Sequence, residues 1–172
     1  MARQNVMLRD DQAGLTAHAG FTTQTYGTPE GYRTVVTANT SLPVIAGGAS
    51  LSVGKKAVTL PTGKRLVNGS SIDLALKQTQ GNVTADTPDL GLGTTIAAGA
   101  NALCSDTAGA ENILTGQTMN DCDGTVESTQ VTTQLTIAAA DSHDIFVNVC
   151  DGWAASGDAA LGLTGTFEFW WR

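Results

Sequence analysis

The residue types of a hydrolytic triad occur side by side at Ser142, His143 and Asp144. In such enzymes a nucleophilic serine, a histidine base and an orienting carboxylate converge from separate elements of the fold. Adjacent residues on an extended chain point to opposite faces, so these three side chains are not expected to converge on one substrate. The pattern predicts a polar turn that opens a strand. An active site using His143 would need a distant nucleophile in a shared pocket.

Residues that could bind a metal ion or carry redox chemistry are few and widely separated. The two histidines, His18 and His143, lie far apart, and the three cysteines contain no C-x-x-C pair. Zinc sites and redox-active dithiols are therefore not expected. Cys150 falls in an apolar strand and is predicted to be a packed thiol. The odd cysteine count favours buried thiols in a reducing cytoplasm, and a bridge between Cys104 and Cys122 is the alternative.

The acidic segment DCDGTVE at 121–127 resembles part of a calcium-binding loop. Asp121, Asp123 and Glu127 supply carboxylates, but the full EF-hand spacing is missing. We predict a solvated acidic loop, with a loose calcium site as the alternative. The glycines at 91 and 93 lack the third glycine and the following helix of a phosphate-binding loop. We therefore expect no catalytic residues, no cofactor and no bound metal, and we do not expect an enzyme.

Short segments of alternating apolar and polar residues, separated by turn residues, run through residues 51–172. In SIDLALKQT (71–79), the large apolar residues at 72, 74 and 76 fall on one face and the charged residues at 73 and 77 on the other, and LGLTGTFEFWW (161–171) alternates over eleven residues. Such a period indicates strands and not helices. Only ENILT (111–115) looks strand-like within an acidic, irregular excursion at 99–128, and TQVTTQLTIA (129–138) reads as a strand. About eight strands predict an all-β, antiparallel β-sandwich of the jelly-roll type.

The densest apolar patch lies in the last predicted strand. Phe167, Phe169 and Trp171 share one face and are expected in the sandwich core. Trp170 falls on the opposite face beside Glu168, where a second layer or a subunit contact would cover it. A strand in this position must pair with neighbours to be ordered, so we expect it to be central in its sheet.

Residues 1–50 differ from the rest of the chain in composition. They are rich in Thr, Gly, Ala and Gln and poor in large aliphatic residues, and RTVVTA (33–38) is their one strand-like piece. A segment that buries little of its own surface is expected to be an extended arm, ordered chiefly by a neighbour. The sequence thus predicts an N-terminal arm over residues 1–50 and a β-sandwich domain over residues 51–172.

The charge of the chain argues against several classes of partner. The net charge is −7, which does not favour binding to nucleic acid or to an anionic membrane. Up to Lys77 there are eight basic and four acidic residues, whereas after it there are one basic residue and twelve acidic ones. This asymmetry is either chance in a small set or a basic foot for an acidic partner, with an acidic body facing solvent. The first fifteen residues show no apolar secretory leader, and no apolar run is long enough to span a membrane.

Several segments resemble a known class of proteins. DIFVNVCDGWA (144–154) and ALGLTGTFEFWW (160–171), with AVTLPTGKRLVNGSSIDLAL (57–76) and LGLGTTIAAGA (90–100), are similar to parts of jelly-roll head decoration (cement) proteins of tailed bacteriophages. The likeness covers roughly residues 55–171, and its motifs are short. It implies binding to the outside of the capsid lattice, often as trimers at local three-fold positions, and it brings no catalytic residues.

Together these observations predict a structural protein of the virion that binds the outer capsid surface and stabilises it. Its expected partners are the major capsid protein and further copies of itself, with a trimer favoured, and no nucleic acid or membrane. It would be made in the host cytoplasm and reside on the capsid exterior. The alternative is a tail or fibre piece or a carbohydrate-binding jelly-roll module, in which Trp153 or Trp170 stacks on sugars. The predicted partner-binding residues of the arm are Arg3, Arg9, Phe21, Tyr26, Tyr32 and Arg33.

Overall fold

A computed structural model describes residues 6–8, 14–29, 31–64, 66–100, 107–119, 122–130, 144–150 and 153–172. Its elements are all strands: β1 Val6–Leu8, β2 Thr16–Ala17, β3 Phe21–Thr28, β4 Gly31–Ser41, β5 Leu51–Thr59, β6 Leu66–Gln80, β7 Val83–Asp86, β8 Asp89–Gly93, β9 Ala98–Ala100, β10 Leu114–Thr118, β11 Asp123–Gln130, β12 Asp144–Cys150, β13 Trp153–Ala155 and β14 Ala160–Trp171. Within these residues the structure contains no helix long and apolar enough to cross a membrane.

The strands form two large antiparallel sheets and a small ribbon. The first sheet has the order β1-β3-β4-β14-β6-β11. The second has the order β10-β8-β12-β5-β2, with β9 also paired to β5, and β13 and β7 form the ribbon. One continuous apolar core contains buried residues from both large sheets, which therefore pack face to face as a sandwich.

Eight of the strands pair in a nested order. The outermost pair in sequence is β4 with β14, and inside it β5 pairs with β12. Inside these, β6 pairs with β11 and β8 pairs with β10. A long hairpin rolled up in this way into two sheets is a jelly roll. The predicted fold class is thus confirmed, and six further strands extend the two sheets or form the ribbon.

The last strand, β14, lies in the interior of the first sheet. It pairs with β4 on one side and with β6 on the other, as the sequence predicted. Phe167, Phe169 and Trp171 are at most 1% exposed and point into the core. Complete burial of such a side chain stabilises the fold by roughly 2 kcal/mol. The alternating apolar and polar residues of β14 therefore point in turn to the core and to the outer face of the sheet.

A chain of buried side-chain hydrogen bonds links β14 to β4 and β3. The indole Nε1 of Trp171 donates a hydrogen bond to Thr34 Oγ1 over 2.8 Å. The Thr34 hydroxyl is also hydrogen-bonded to the Thr25 hydroxyl, at 2.9 Å. Both threonines are 0% exposed, and each meets the requirement that a buried polar group be paired. The three residues link β14, β4 and β3.

The structure differs from the predicted arm over residues 21–41. Strands β3 and β4 pair with each other, and β4 pairs with β14 along ten residues, so this segment belongs to the sandwich. Phe21, Val36 and Ala38 are at most 5% exposed and lie in the core. Small and β-branched side chains suffice here because the large aromatic residues of β14 fill the space between the sheets. The segment that follows β4 is held by backbone hydrogen bonds between Ile45 and Ala159 and between Gly48 and Ala155.

The acidic region also contains more regular structure than predicted. Asp123–Gln130 forms β11, which pairs with β6 at the edge of the first sheet, where we expected an irregular loop. The strand predicted at 111–115 begins only at Leu114. Most of the strand predicted at 129–138 lies outside the described residues. The reason for the error is that a polar edge strand has little apolar alternation, so its pairing is set by its neighbour.

Candidate functional site

The one member of the Ser-His-Asp segment that the structure describes is Asp144, whose carboxylate contacts Thr59 and Lys56 on the neighbouring strand β5. Thr59 Oγ1 donates a hydrogen bond to Asp144 Oδ1 over 2.5 Å, and Lys56 Nζ lies 2.5 Å from Asp144 Oδ2. His18 Nε2 lies 2.8 Å from Thr59 Oγ1. Burial raises the pKa of Asp144, but hydrogen bonds from Lys56 and Thr59 and the nearby positive charge outweigh it and hold the pKa below its usual value. The group joins β5 and β12 to the residue that follows β2.

The cysteines differ from both expected arrangements. Cys150 takes part in a disulfide bond, so it is not the packed thiol that the sequence predicted. Cys122 is a buried thiol, which excludes the bridge considered between Cys104 and Cys122. Cys122 also has a positive φ of 37°, in a tight connection just before β11. Composition cannot show which cysteines meet, because the pairing depends on strand order.

The described part of the chain contains no group of three or more His, Cys, Asp or Glu side chains that could hold a metal ion. Of the calcium-loop residues, Asp123 and Glu127 lie on strand β11, and Asp121 is outside the described residues. Two residues of one extended strand four positions apart are separated by about 13 Å along the chain. They do not form the compact loop that the motif suggested.

Two partly exposed aromatic residues, Tyr26 and Trp170, lie beside Arg33 on the outer face of the first sheet. Arg33 on β4 lies opposite Trp170 on β14 and opposite Tyr26 on β3 in the strand register. The Arg33 guanidinium carbon lies 5.8 Å from the centre of the Trp170 ring and 6.0 Å from that of Tyr26. Arg33 Nε donates to Glu168 Oε2 over 2.8 Å, and Nη2 donates to the same oxygen. The guanidinium is thus held near two rings and by one carboxylate.

A second cation and ring lie at the same end of the sheet, on the face that points toward the core. Tyr32 stacks on Trp171 with ring centres 4.5 Å apart, and Lys64 Nζ lies 5.7 Å from the Tyr32 ring centre. Lys64 follows the turn after β5. We call the outer-face set Tyr26, Arg33 and Trp170 the cationic aromatic corner. All three residues are partly exposed.

The structure brings two of the six predicted partner-binding residues, Tyr26 and Arg33, together in this corner. Tyr32 lies on the opposite face of β4, where it stacks on the buried Trp171. Phe21 is 5% exposed and packs into the core, so its side chain is not available to a partner. Arg3 and Arg9 lie outside the described residues. Sequence reasoning missed Glu168 as the partner of Arg33, because the two residues are 135 positions apart in the sequence. It did place Trp170 on the outer face, but the contact with Arg33 requires the β4–β14 register.

A polar trough lies at the opposite end of the same outer face. It has a volume of about 580 Å³ and is lined by Asn39, Thr40, Ser41, Lys77, Thr79, Gly162 and Thr164. A smaller depression of about 210 Å³ lies nearer the corner and is lined by Arg33, Val35, Ser71, Asp73, Thr166, Phe167 and Glu168. The outer face therefore carries aromatic rings beside the Arg33–Glu168 ion pair at one end and hydroxyl and amide groups at the other.

Comparisons with known proteins give little further guidance. No protein-family model matches the sequence, and no curated protein matches it. Among solved structures, the chain is similar to one described as the capsid asymmetric unit of cyanophage Pam1, with 15% sequence identity and a TM-score of 0.34. The match covers 78% of this chain and 85% of that one. A likeness at this TM-score carries no argument, so the fold assignment follows from the strand pairings alone.

Proposed function

We propose that this chain is a structural protein of a phage virion that binds the outer surface of the capsid and stabilises it, without catalytic activity of its own. The observation that carries the proposal is the cationic aromatic corner. Trp, Tyr and Arg dominate the binding energy of protein interfaces, and here all three types meet on the outside of the sandwich. The jelly-roll fold and the resemblance of residues 55–171 to decoration proteins support the same function.

The proposed partner is the major capsid protein, and the proposed assembly is a homo-oligomer, with a trimer favoured. Repeated subunits on a capsid lattice give each copy several simultaneous contacts, so modest contacts add up to tight binding. The protein would be made in the host cytoplasm and would act on the capsid exterior, with no nucleic acid or membrane as a partner.

The test measures binding of the purified chain to capsid shells. The shells come from the virus that encodes the chain and are prepared without this protein. We expect saturable co-sedimentation with the shells and a higher temperature of shell disruption when the protein is bound. Electron microscopy of the decorated shells should show added density on the outside. Failure to bind intact shells at micromolar concentration would refute the function.

The predicted contribution of Arg3 and Arg9 can be tested in the same assay. Deletion of residues 1–40, which would isolate an independent arm, is unsuitable because it removes β3 and most of β4 from the first sheet. The sharper variant is Arg3→Gln with Arg9→Gln, which leaves every sandwich strand intact. We expect weaker shell binding with an unchanged melting temperature, and unchanged binding would reject a role for these arginines.

A second candidate function is carbohydrate binding, and the polar trough is the observation that favours it. Its lining side chains are hydroxyls, one amide and one ammonium, which can hydrogen-bond to sugar hydroxyls. Trp153 cannot stack on a sugar, because it is 1% exposed. A glycan array with the wild-type chain and an Asn39→Ala variant tests this function. Specific binding that the substitution reduces would support it, and the absence of binding to any glycan would reject it.

A further inference from the structure

We propose that the outer face of the first sheet binds an uncharged oligosaccharide, with Trp170 as the stacking surface and the smaller depression beside it as the site for sugar hydroxyls. This inference rests on the second candidate function, carbohydrate binding, and adds the aromatic contact that the polar trough lacks. It gives Trp170 a different partner from the capsid contact, and the experiments below distinguish the two. Three observations support it: the local balance of charge, the mixture of donors and acceptors in the depression, and the position of Trp170.

Four adjacent strands of the first sheet carry no net charge. Strands β3, β4, β14 and β6 contain two cations, Arg33 and Lys77, and two carboxylates, Asp73 and Glu168. The acidic residues of β11 lie at the edge of the sheet, beyond β6. The chain as a whole carries −7, so these four strands are neutral within an acidic molecule. A face with this balance favours neither an acidic nor a basic partner, and an uncharged ligand suits it.

The depression presents hydrogen-bond donors and acceptors side by side. It has a volume of about 210 Å³, and its polar lining consists of Arg33, Ser71, Asp73, Thr166 and Glu168. Arg33 donates two of its five N–H groups to Glu168 Oε2, which leaves three donors and the second carboxylate oxygen open toward the described residues. A sugar hydroxyl both donates and accepts, so it uses such a mixture fully, whereas a carboxylate or an ammonium group uses only one kind.

Trp170 supplies an aromatic ring beside the depression. It follows Glu168 by two residues on the same face of β14, a separation of about 7 Å. Trp153 and Trp171 are at most 1% exposed, whereas Trp170 is partly exposed. The Arg33 guanidinium carbon lies 5.8 Å from the ring centre and restricts the ring before any ligand arrives. A sugar has an apolar C–H face and a polar hydroxyl edge, which match the ring and the depression respectively.

The outer face is also long enough for an extended ligand. Gly162 in the lining of the trough lies six residues before Glu168 on β14, which is about 20 Å along the strand. Thr164 in the trough and Thr166 in the depression continue the polar lining between them. The depression is smaller than the ~300–1,000 Å³ of typical ligand pockets, so it would hold only part of a ligand. An oligosaccharide that runs along β14 can therefore contact both sites.

The first experiment measures binding of the purified full chain to an array of neutral, carboxylated and sulfated glycans. We expect binding to neutral glycans that changes by less than about twofold between about 0.05 and about 0.5 M salt, because salt screens only interactions between charges. Trp170→Ala should weaken this binding about tenfold or more, and Trp170→Phe, which keeps a ring, should lose less. Phe146→Ala is the matched control. Phe146 is a partly exposed aromatic residue on β12 of the second sheet, so its loss should leave glycan binding unchanged.

The second experiment detects the stacking contact directly, by acrylamide quenching of tryptophan fluorescence. In the free protein acrylamide should reach Trp170, whereas Trp153 and Trp171 are buried. The neutral glycan with the strongest array signal should reduce the quenching of the wild type and have no such effect on Trp170→Ala. Circular dichroism and melting temperature confirm that each variant is folded.

The outcomes separate this inference from both candidate functions. If no glycan binds, carbohydrate binding fails and the inference fails with it. If a neutral glycan binds and Trp170→Ala keeps its affinity, carbohydrate binding stands and the site beside Trp170 is rejected. If only carboxylated or sulfated glycans bind, or binding falls steeply with salt, an uncharged ligand is rejected. If Trp170→Ala abolishes binding to capsid shells and leaves glycan binding unchanged, Trp170 belongs to the capsid contact, and the inference is likewise rejected.

Discussion

The clearest structural prediction concerns Asn148, a buried polar residue on β12. Its side chain is 0% exposed, yet every hydrogen-bonding atom of the amide group is used. Asn148 Oδ1 accepts a hydrogen bond from the Ala97 N–H at 2.9 Å. Its Nδ2 donates to the Thr95 carbonyl at 2.9 Å and to the Ala110 carbonyl at 2.6 Å. One side chain thereby fixes two connections, the one between β8 and β9 and the one before β10.

We predict that Asn148→Ala lowers the free energy of unfolding substantially. The substitution leaves one N–H and two carbonyl groups without partners, and each buried unpaired group costs about 1–3 kcal/mol. Because water can reach part of the space that the amide vacates, we expect a total loss of about 3–5 kcal/mol. A domain has a total stability of only about 5–15 kcal/mol, so the variant should be close to unfolding at ambient temperature.

The assay is urea-induced unfolding followed by circular dichroism. Asn39→Ala is the matched control, because Asn39 is exposed on β4 and its loss should change stability by less than about 0.5 kcal/mol. A loss below about 1 kcal/mol for Asn148→Ala would refute the reasoning, since it would mean that the three backbone groups find other partners.

Gly54 gives an independent check of the same geometry. A Cβ atom at position 54 would lie 2.2 Å from Asn148 Oδ1 and 2.7 Å from Ile96 Cγ1. Gly54→Ala should therefore displace the Asn148 amide, and it should be less damaging once residue 148 is alanine. A double-mutant cycle measures this coupling. Simple additivity of the two substitutions would contradict the contact.

Three other sites give predictions of the same kind. The pKa of Asp144 is held below its usual value, so the Lys56–Asp144 pair contributes stability that is present above about pH 4 and is lost as the pH falls through the lower pKa of the folded state. Wild type should thus lose more stability on acidification below pH ~4 than Asp144→Asn, and equal losses would argue against the pair. Thr34→Val should lower the unfolding free energy by about 1–3 kcal/mol, because it leaves the Trp171 indole N–H unpaired. Thr34→Ser keeps the hydroxyl and should lose less, whereas equal losses in denaturant titrations would exclude the hydrogen bond as the cause. Reductant should destabilise the wild type by about 2–4 kcal/mol but have little effect on Cys150→Ser, and a wild-type melting temperature insensitive to reductant would contradict the disulfide.

Alternation in the sequence was sufficient to predict the jelly roll and the central position of β14. Phe167, Phe169 and Trp171 point one way and Glu168 and Trp170 the other, and burial in the structure follows that division. The same reasoning failed for residues 21–41, because Thr34, Val36 and Ala38 have too little side-chain volume to suggest a core strand. Their neighbour in the sheet supplies that volume, and pairing between segments so far apart in the sequence is not visible in local composition.

The candidate site was predictable by residue type and unpredictable by position. Isolated aromatic residues and arginines in a polar segment drew attention to Tyr26 and Arg33, and these two do meet on the outer face of a sheet. Phe21 has the same isolation in the sequence, but the β3 pleat turns it inward beside the core. Tyr32, equally isolated in the sequence, pairs with Trp171 in the β4–β14 register and stacks on it, so it faces the core side of the sheet.

The nested pairing also determines when the corner can form. Arg33 lies on the first of the eight sandwich strands and Trp170 on the last, and the two strands become neighbours only when the rolled hairpin closes. A folding intermediate that lacks β14 would therefore lack Trp170 and Glu168 beside Arg33, along with the aromatic side chains that fill the core. Non-local pairings of this kind form late, because the entropy of closing a long loop must be met first. Binding through the corner would consequently select completely folded subunits, which is a useful property for a protein that must add to a lattice in many identical copies.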